Sequence, residues 1–261
     1  MTLVDSHCHA GLNWFEPVES LLFQMDAHGV DKAVLIQHRG SFDNSYLFES
    51  ARRNPGKFAV VVQVDVSQPD VSMILEELAD EGAVGIRLSP TTRSKGSDPL
   101  EVWRKASELG MLVSLLGEVD EFATDEFGSL VSEMSDLTII IEHLAGIRYT
   151  ARPPYSTYKR ALTLAEMPNT YIKVGGLGEF LERPPVLKSE FGFDQTLPVI
   201  EMALEAFGPG RMMWGSDFPG VSKREGYKNS LVGIKEHPAF KSDEEIAWVL
   251  GSTALDVFRF D

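Results

Sequence analysis

The sequence predicts a single α/β domain, a (β/α)8 TIM barrel that spans residues 1–261. The chain has 261 residues, which is close to the usual length of one such barrel. Short apolar runs recur along it, and segments with a helical pattern lie between them. No G-x-G-x-x-G motif follows the first run, which disfavours the open doubly wound sheet, the main alternative.

The apolar runs predict strands that begin near Leu3, Lys32, Phe58, Ala83, Met111, Thr138, Thr170 and Arg211. Consecutive starts lie about as far apart as a strand, a helix and two loops require. The runs KAVLIQ, FAVVVQV, MLVSLLG and LTIIIEH are almost continuously apolar. Strands that are covered on both faces have this composition, so the runs favour a parallel sheet.

The predicted helices alternate with these strands and carry a polar face. Clear examples are EPVESLLFQMDAHG, DVSMILEELADEG, DPLEVWRKASELG and DQTLPVIEMALEAFG, each of which ends in glycine. Glycine is the usual residue at a helix C-terminal cap because it adopts the left-handed conformation without strain. The longest predicted loops, at 176–192 and 218–241, follow strands seven and eight, where barrel loops shape the pocket.

Composition excludes several classes of function. The net charge is −15 and no basic stripe is present, so we expect neither nucleic-acid binding nor attachment to an anionic membrane. The N-terminus does not resemble a signal peptide, and no apolar run approaches the length of a transmembrane helix. Cys8 is the only cysteine, which fits a reducing, cytoplasmic location. The oligomeric state stays open, and a homo-oligomer is compatible with the sequence.

Histidines on the first strand are the first candidate site residues. Asp5, His7 and His9 alternate along that strand, so we expect them to share one face, with Cys8 facing the helices. Active sites of barrels lie at the C-terminal ends of the strands, where this motif stands. Two imidazoles at positions i and i+2 can converge on one ion or one substrate group.

Two further candidates end later strands. His143 ends the sixth, where alternation groups it with Ile139 and Ile141, and Asp217 ends the eighth in RMMWGSDFP. An aspartate at a barrel strand end is costly to bury unless it is paired, which favours a functional role. We therefore expect His7, His9, His143 and Asp217 to meet around one cavity.

The motifs HCH, EHLAG and WGSDFP, in this order, resemble the amidohydrolase superfamily. The resemblance is strongest to the amidohydrolase-2-like branch of lactonases, decarboxylases and hydratases. The segments QHRGSFDNSY, VGIRLSP, YIKVGGLGEF and STALDVFRF are similar to that branch as well, so the likeness covers nearly the whole chain. It implies a TIM-barrel hydrolase that opens a small lactone, carboxylated or derived from a sugar.

The resemblance also implies roles for the four residues. His7 and His9 match histidines that bind a divalent ion in many members, His143 one that contacts substrate or assists the attacking water, and Asp217 the general base. His7, His9, Asp217 and a water could hold Zn²⁺ in a four-coordinate site. The fifth strand, MLVSLLG, has leucine where many metal-dependent relatives have a histidine, and the bridging carboxylated lysine has no obvious counterpart. Metal-dependent and metal-free chemistry therefore both stay open.

Basic residues near strand ends predict recognition of a small anionic or sugar-like substrate. The loops SPTTRSKGS and LAGIRYTARPPYS contain no acidic residue, and guanidinium groups pair bidentately with carboxylates. The candidate substrate-binding residues are Arg87 and Gln37 on strands four and two, and Arg93, Arg148 and Arg152 in these loops. For each loop arginine the alternative is an ordinary surface salt bridge.

Two other functions use the same residues. A metal-dependent decarboxylase or hydratase acting on a small carboxylic acid would need the histidines and Asp217 in the same places. A barrel that binds small acids without catalysis would keep the arginines and lose the need for a base. A chelator separates the first alternative from a metal-free lactonase, and replacement of Asp217 tests the second.

Overall fold

The computed structural model describes residues 1–182, 186 and 197–260, and these form an eight-stranded parallel sheet whose strands follow chain order. This confirms the predicted (β/α)8 barrel. Each strand begins within one residue of its predicted start. The strands are β1 (Val4–Cys8), β2 (Lys32–Ile36), β3 (Phe58–Val62), β4 (Ala83–Leu88), β5 (Leu112–Leu115), β6 (Ile139–Ile141), β7 (Thr170–Val174) and β8 (Met212–Trp214).

Helices follow the strands and cover the outside of the sheet. They are α1 (Val18–His28), α2 (Ser45–Arg53), α3 (Val71–Glu81), α4 (Glu101–Glu108), α5 (Val119–Phe122), α6 (Asp125–Glu133), α7 (His143–Gly146), α8 (Ser156–Leu162), α9 (Val199–Phe207), α10 (Tyr227–Lys235), α11 (Asp243–Ala247) and α12 (Thr253–Val257). Short 3-10 helices lie at Thr163–Glu166, Leu177–Glu179, Pro209–Arg211 and Gly220–Lys223, and a π-helix at Trp248–Ser252. No helix among the described residues is long and apolar enough to cross a membrane.

Glycines end the predicted helices, as the sequence indicated. Gly29 has φ 68° and donates its N–H to Asp26, while Gly82 has φ 114° and donates to Ala79. The helix predicted from Asp194 is α9, and its first three predicted residues lie outside the described part. The predicted loop 176–192 is described only up to residue 182 and at 186.

Alternating side chains build two apolar layers. The larger layer lies between sheet and helices and includes Trp103, Trp214 and Leu35, all fully buried. The smaller layer includes Val34 and Met213 of the strands, and the C-terminal Phe258 packs against it. Because the start of β1 also packs in that layer, the apolar filling occupies the N-terminal end of the barrel and leaves the strand C-terminal ends for polar side chains.

Candidate active site

His7 and His9 enter the site from β1, but Asp5 does not. Asp5 aligns with Ala33 of β2 and Cys8 aligns with Leu35, so three steps on β1 span two steps on β2. This irregularity breaks the alternation and places Asp5 on the helix-facing side, where it contacts Tyr227. The expectation that Asp5 shares a face with the histidines is therefore wrong, and a local bulge is the cause.

His143 reaches the site by a turn of the backbone. Ile139 and Ile141, which alternation grouped with it, pack in the helix-facing layer, so strand parity alone would point His143 outward. The expected grouping is wrong because the strand ends at Ile141. Residues 143–146 (α7) all have positive φ, from 48° to 69°, so they form one left-handed turn. Such a conformation costs free energy and persists where the surroundings fix it, commonly at functional sites.

Asp217 follows β8 in a left-handed conformation as well, with φ 58°. Its backbone N–H donates to the His7 carbonyl at 2.8 Å, which fixes it beside the first strand. Gly215 permits this approach, because a Cβ there would lie 2.5 Å from the Cβ of His7. The β8–β1 junction thus brings the carboxylate of Asp217 to the two imidazoles.

The four predicted residues form one cluster. Oδ1 of Asp217 lies 3.5 Å from Nε2 of His9 and 3.9 Å from Nε2 of His7. The ring of His143 lies 4.8 Å from the ring of His7, centre to centre. His7 and His9 are buried, whereas Asp217 and His143 are about one-fifth exposed. A small molecule that enters at this end of the barrel therefore meets Asp217 and His143 first.

Hydrogen bonds distinguish the two β1 imidazoles. Nδ1 of His9 donates to the Ile36 carbonyl at 2.7 Å, so in neutral His9 the lone pair is on Nε2, towards Asp217. Nδ1 of His7 lies 3.4 Å from the Lys173 ammonium, which can only donate. A neutral His7 therefore carries its proton on Nε2. Burial, with the positive charge of Lys173, holds the pKa of His7 well below its usual value and keeps it neutral.

Asp217 is anionic and held by a cation. Burial works to raise its pKa. The hydrogen bond that His9 donates when its ring is protonated, together with the charges of His143 and Arg224, outweighs burial and lowers the pKa of Asp217 below its usual value. Arg224 donates from Nη1 to Oδ2 of Asp217 at 2.8 Å. The second oxygen, Oδ1, faces the histidines and is free to accept a proton.

Glu179 joins His143 to Arg224. Its carboxylate lies 3.1 Å from Nδ1 of His143 and 3.1 Å from Nη2 of Arg224. Burial works to lower the pKa of His143, but Glu179, followed by Asp217 and Glu142, outweighs burial and raises that pKa. His143 is thus poised to carry a proton next to an anionic base, a pairing that suits acid–base catalysis.

A buried ion network lies deeper in the barrel. Nη2 of Arg87 pairs with Glu142 at 2.7 Å, and Ser114 donates to the same carboxylate at 2.7 Å. Lys173 donates to Ser114 at 3.1 Å and reaches His7. Burial lowers the pKa of Lys173 to about 8. Burial works to raise the pKa of Glu142, but the charges of Arg87 and Lys173 outweigh it and lower that pKa to about 2. Through Lys173 this network contacts His7 and supports the site from the interior of the barrel.

We expect Arg87→Met to destabilise the protein by about 3–5 kcal/mol, because it leaves the Glu142 carboxylate buried without its partner. Urea unfolding followed by circular dichroism measures this loss. Arg148→Met is the matched control, since its pair with Glu118 is exposed and such pairs contribute about 1 kcal/mol or less. An equal effect of the two substitutions would contradict the assignment of Arg87 to the support of the site.

The other predicted substrate residues are engaged elsewhere. Arg93 pairs with Glu126 at 2.5 Å, Arg148 pairs with Glu118 at 2.7 Å, and Arg152 donates to backbone carbonyls of its own loop. Gln37 braces the β2 loop by donating to the Asp43 carbonyl at 2.7 Å and accepting from the His38 N–H at 2.8 Å. Within the described residues the structure does not join any of these four side chains to the histidine–Asp217 cluster.

Sequence reasoning missed Glu142, Glu179 and Arg224. Glu142 had a signal, because a glutamate that ends the apolar run TIII needs a buried cation. Glu179 and Arg224 had none, since charged residues in long loops are usually solvated. Only the folded chain shows that the loops after β7 and β8 bring these two together over the site.

The sequence model of the amidohydrolase family (Amidohydro_2) matches residues 5–260. The chain belongs to the amidohydrolase family. It is 23% identical over 214 residues to the 4-sulfomuconolactone hydrolase of Rhizobium radiobacter, a match that covers 78% of this chain and 66% of the relative. The chain spans between 56% and 66% of the length of the curated relatives that it matches.

Solved structures share the fold of this amidohydrolase. A putative 2-pyrone-4,6-dicarboxylic acid hydrolase from Pseudomonas putida has a TM-score of 0.77 at 22% identity, with 98% of this chain and 97% of that chain covered. An amidohydrolase from Burkholderia multivorans with bound zinc has a TM-score of 0.81 at 18% identity, with 98% and 99% covered. At these identities the likeness establishes the barrel fold alone, so the activity has to be inferred from the geometry of the site.

The cluster fits a divalent ion. Ligand atoms of His7, His9 and Asp217 lie within 4.8 Å of one another, and a neutral imidazole pair with a carboxylate is a common zinc donor set. Nε2 of His7 is buried and has no hydrogen-bond partner among the described residues, and the Ile36 carbonyl orients the ring of His9 through Nδ1. Binding an ion at Nε2 of His7 would displace the proton that Lys173 directs there.

Proposed function

We propose that this amidohydrolase hydrolyses a small lactone with Asp217 as general base. One observation carries the proposal: the Asp217 carboxylate lies 3.5 Å and 3.9 Å from the imidazoles of His9 and His7. A third imidazole, His143, whose pKa is raised, packs 4.8 Å from the His7 ring, centre to centre. A base, an oxyanion donor and an acid are what ester hydrolysis by water requires. A lactone fits because its leaving alkoxide stays tethered near the acid.

Asp217, His7 and His143 have separate roles in this reaction. Oδ1 of Asp217 takes a proton from the attacking water, while Arg224 on Oδ2 keeps the carboxylate oriented. The Nε2 proton of His7 stabilises the oxygen anion that develops on the carbonyl. His143, whose pKa is raised by Glu179, gives its proton to the departing ring oxygen. The water adds to the carbonyl carbon, the ring C–O bond breaks, and the product is a hydroxy acid.

We infer that the same cluster holds a divalent ion such as Zn²⁺ when one is bound. His7, His9 and Asp217 would be its ligands, and the ion would supply Lewis acidity at the carbonyl oxygen. The protein's own groups still orient the water and protonate the leaving oxygen. Metal analysis of the purified protein, and assays after chelation and after Zn²⁺ is restored, measure whether the ion is needed.

We propose an anionic substrate and assign its recognition to the β2 loop. Arg39 follows His38, whose ring lies 5.2 Å from the ring of His9. The guanidinium of Arg39 has no ion pair or hydrogen bond among the described residues. The turn that presents it is braced, since the Gly40 N–H donates to Gln63 at 2.6 Å and the Ser41 N–H donates to the His38 carbonyl at 3.1 Å. A rigid turn with an unpaired guanidinium suits capture of a carboxylate.

We expect Arg39→Gln to raise KM for a carboxylated lactone about 10-fold, the value of a charge-assisted hydrogen bond, and to leave a neutral lactone unaffected. Initial rates on a matched pair of lactones, with and without the carboxylate, measure the difference. Arg148→Gln serves as the control because its guanidinium is already paired with Glu118. A similar KM change on both lactones would contradict the assignment of Arg39.

Hydrolysis of a panel of lactones, followed by proton release, tests the proposed function directly. Turnover of at least one five- or six-membered lactone is the expected result. The decarboxylase alternative predicts carbon dioxide release from a small carboxylic acid instead. Product analysis by mass spectrometry distinguishes the two, and the absence of any lactone turnover would overturn the proposal.

A further inference from the structure

The two halves of the site meet at a seam of the barrel that has little backbone pairing. His7 and His9 come from β1 and Asp217 from the end of β8. In the described part of the chain, these two edge strands are joined by one isolated bridge, between Cys8 and Phe218, and not by a ladder. Two backbone bonds lie here, from the Asp217 N–H to the His7 carbonyl at 2.8 Å and from the His9 N–H to the Phe218 carbonyl at 2.7 Å.

The fully buried carboxylate of Asp5 joins β1 to the segment after β8 from the helix-facing side of the sheet. Its Oδ1 accepts the backbone N–H of His7 at 3.2 Å and that of Ser216 at 2.8 Å. Its Oδ2 accepts the Ser216 hydroxyl at 2.6 Å and the Tyr227 hydroxyl at 2.9 Å. One carboxylate thus binds the backbone of a site histidine and the residue before Asp217 at the same time.

Ser216 links Asp5 to the residue that follows Asp217. Its hydroxyl oxygen accepts the backbone N–H of Phe218 at 2.9 Å while it donates to Asp5. The residues on both sides of Asp217 are therefore fixed to one group. This holds Asp217 in its left-handed conformation, which the surroundings must over-determine to persist.

We propose that Asp5 is the positioning residue of this site: it sets the distance between the β1 imidazoles and the Asp217 carboxylate across the β8–β1 seam. It does not face the substrate side, since the β1 bulge turns it towards the helices. The proposal rests on the proposed function for its kinetic readout only. Its structural consequence holds for any reaction that uses His7 and Asp217 together.

The test is a double-mutant cycle of Asp5→Asn with Asp217→Asn. We expect D5N to lower kcat about 10–100-fold in the wild-type background with little change in KM, the effect of removing a group that orients site residues. In the D217N background D5N should lower kcat less than about 3-fold, because the base that Asp5 positions is already absent. An equal factor in both backgrounds would show general damage to the protein and overturn the proposal.

Two further variants keep the test decisive. Tyr227→Phe removes a bond to the same buried carboxylate from the helix side only, so it should leave kcat unchanged; a loss as large as that of D5N overturns the proposal. If D5N does not fold, Ser216→Ala takes its place in the cycle and should show the same non-additivity. Crystal structures of wild type and the variant give a readout without substrate: an unchanged separation of His7 and Asp217 overturns the proposal even if no lactone is ever hydrolysed.

Discussion

Asp217→Asn is expected to lower kcat for lactone hydrolysis about 1,000-fold, within the range that a positioned general base contributes. Asparagine keeps the size of the side chain and can still accept the hydrogen bond from Arg224, so the loop after β8 stays in place. It cannot take a proton from water. Initial rates at saturating lactone measure the loss, with thermal unfolding to verify that the variant is folded.

Asp43→Asn is the matched control for this substitution. Asp43 lies on a loop at the same end of the barrel, is exposed, and accepts its hydrogen bonds from Ser45. We expect its kcat to stay within about twofold of wild type, because asparagine can still accept both hydrogen bonds from Ser45. If D217N retained turnover comparable to D43N, Asp217 would not be the base, and the division of roles proposed above would fail.

Glu179→Gln should change the pH profile as well as the rate. Glu179 raises the pKa of His143, so its neutral replacement lowers that pKa. Because the protonated imidazole is the active acid, activity falls as pH rises through this pKa. The descending limb of kcat should therefore move to lower pH in E179Q, with a loss of about 100-fold at pH values above the displaced limb.

Glu225→Gln separates this effect from a general disturbance of Arg224. Glu225 lies 3.5 Å from Nε of Arg224, whereas its carboxylate makes no described contact with His143. We expect E225Q to keep the descending limb where wild type has it. A limb that fails to move in E179Q, or that moves equally in E225Q, would remove His143 from the role of acid.

Periodicity predicted the barrel well because strands such as β3 and β6 are apolar on both faces, and every observed strand start lies within one residue of its prediction. The convergence of His7, His9, His143 and Asp217 was also predictable, since residues at the C-terminal ends of barrel strands meet by topology. What alternation could not give was the orientation of Asp5, because a bulge in β1 reverses the parity of the strand.

The surroundings of the site were harder to predict than its centre. Arg87 looked like a substrate residue because an arginine within an apolar strand cannot be free in water, yet its partner is Glu142, which directly follows β6. The charges of Arg93 and Arg148 are neutralised by acidic residues of neighbouring elements that sequence proximity does not reveal. Ion pairs between distant segments depend on three-dimensional placement, so the composition of a single loop cannot show which of its cations are paired.

A crystal structure of D217N with an intact lactone would show directly which groups of the site contact the lactone carbonyl. We expect the carbonyl oxygen to lie within hydrogen-bond distance, about 2.7–3.2 Å, of Nε2 of His7. The ring oxygen should face His143, and an ordered water should lie beside residue 217. A lactone bound at another face of the barrel, or with its carbonyl directed away from the β1 histidines, would contradict it.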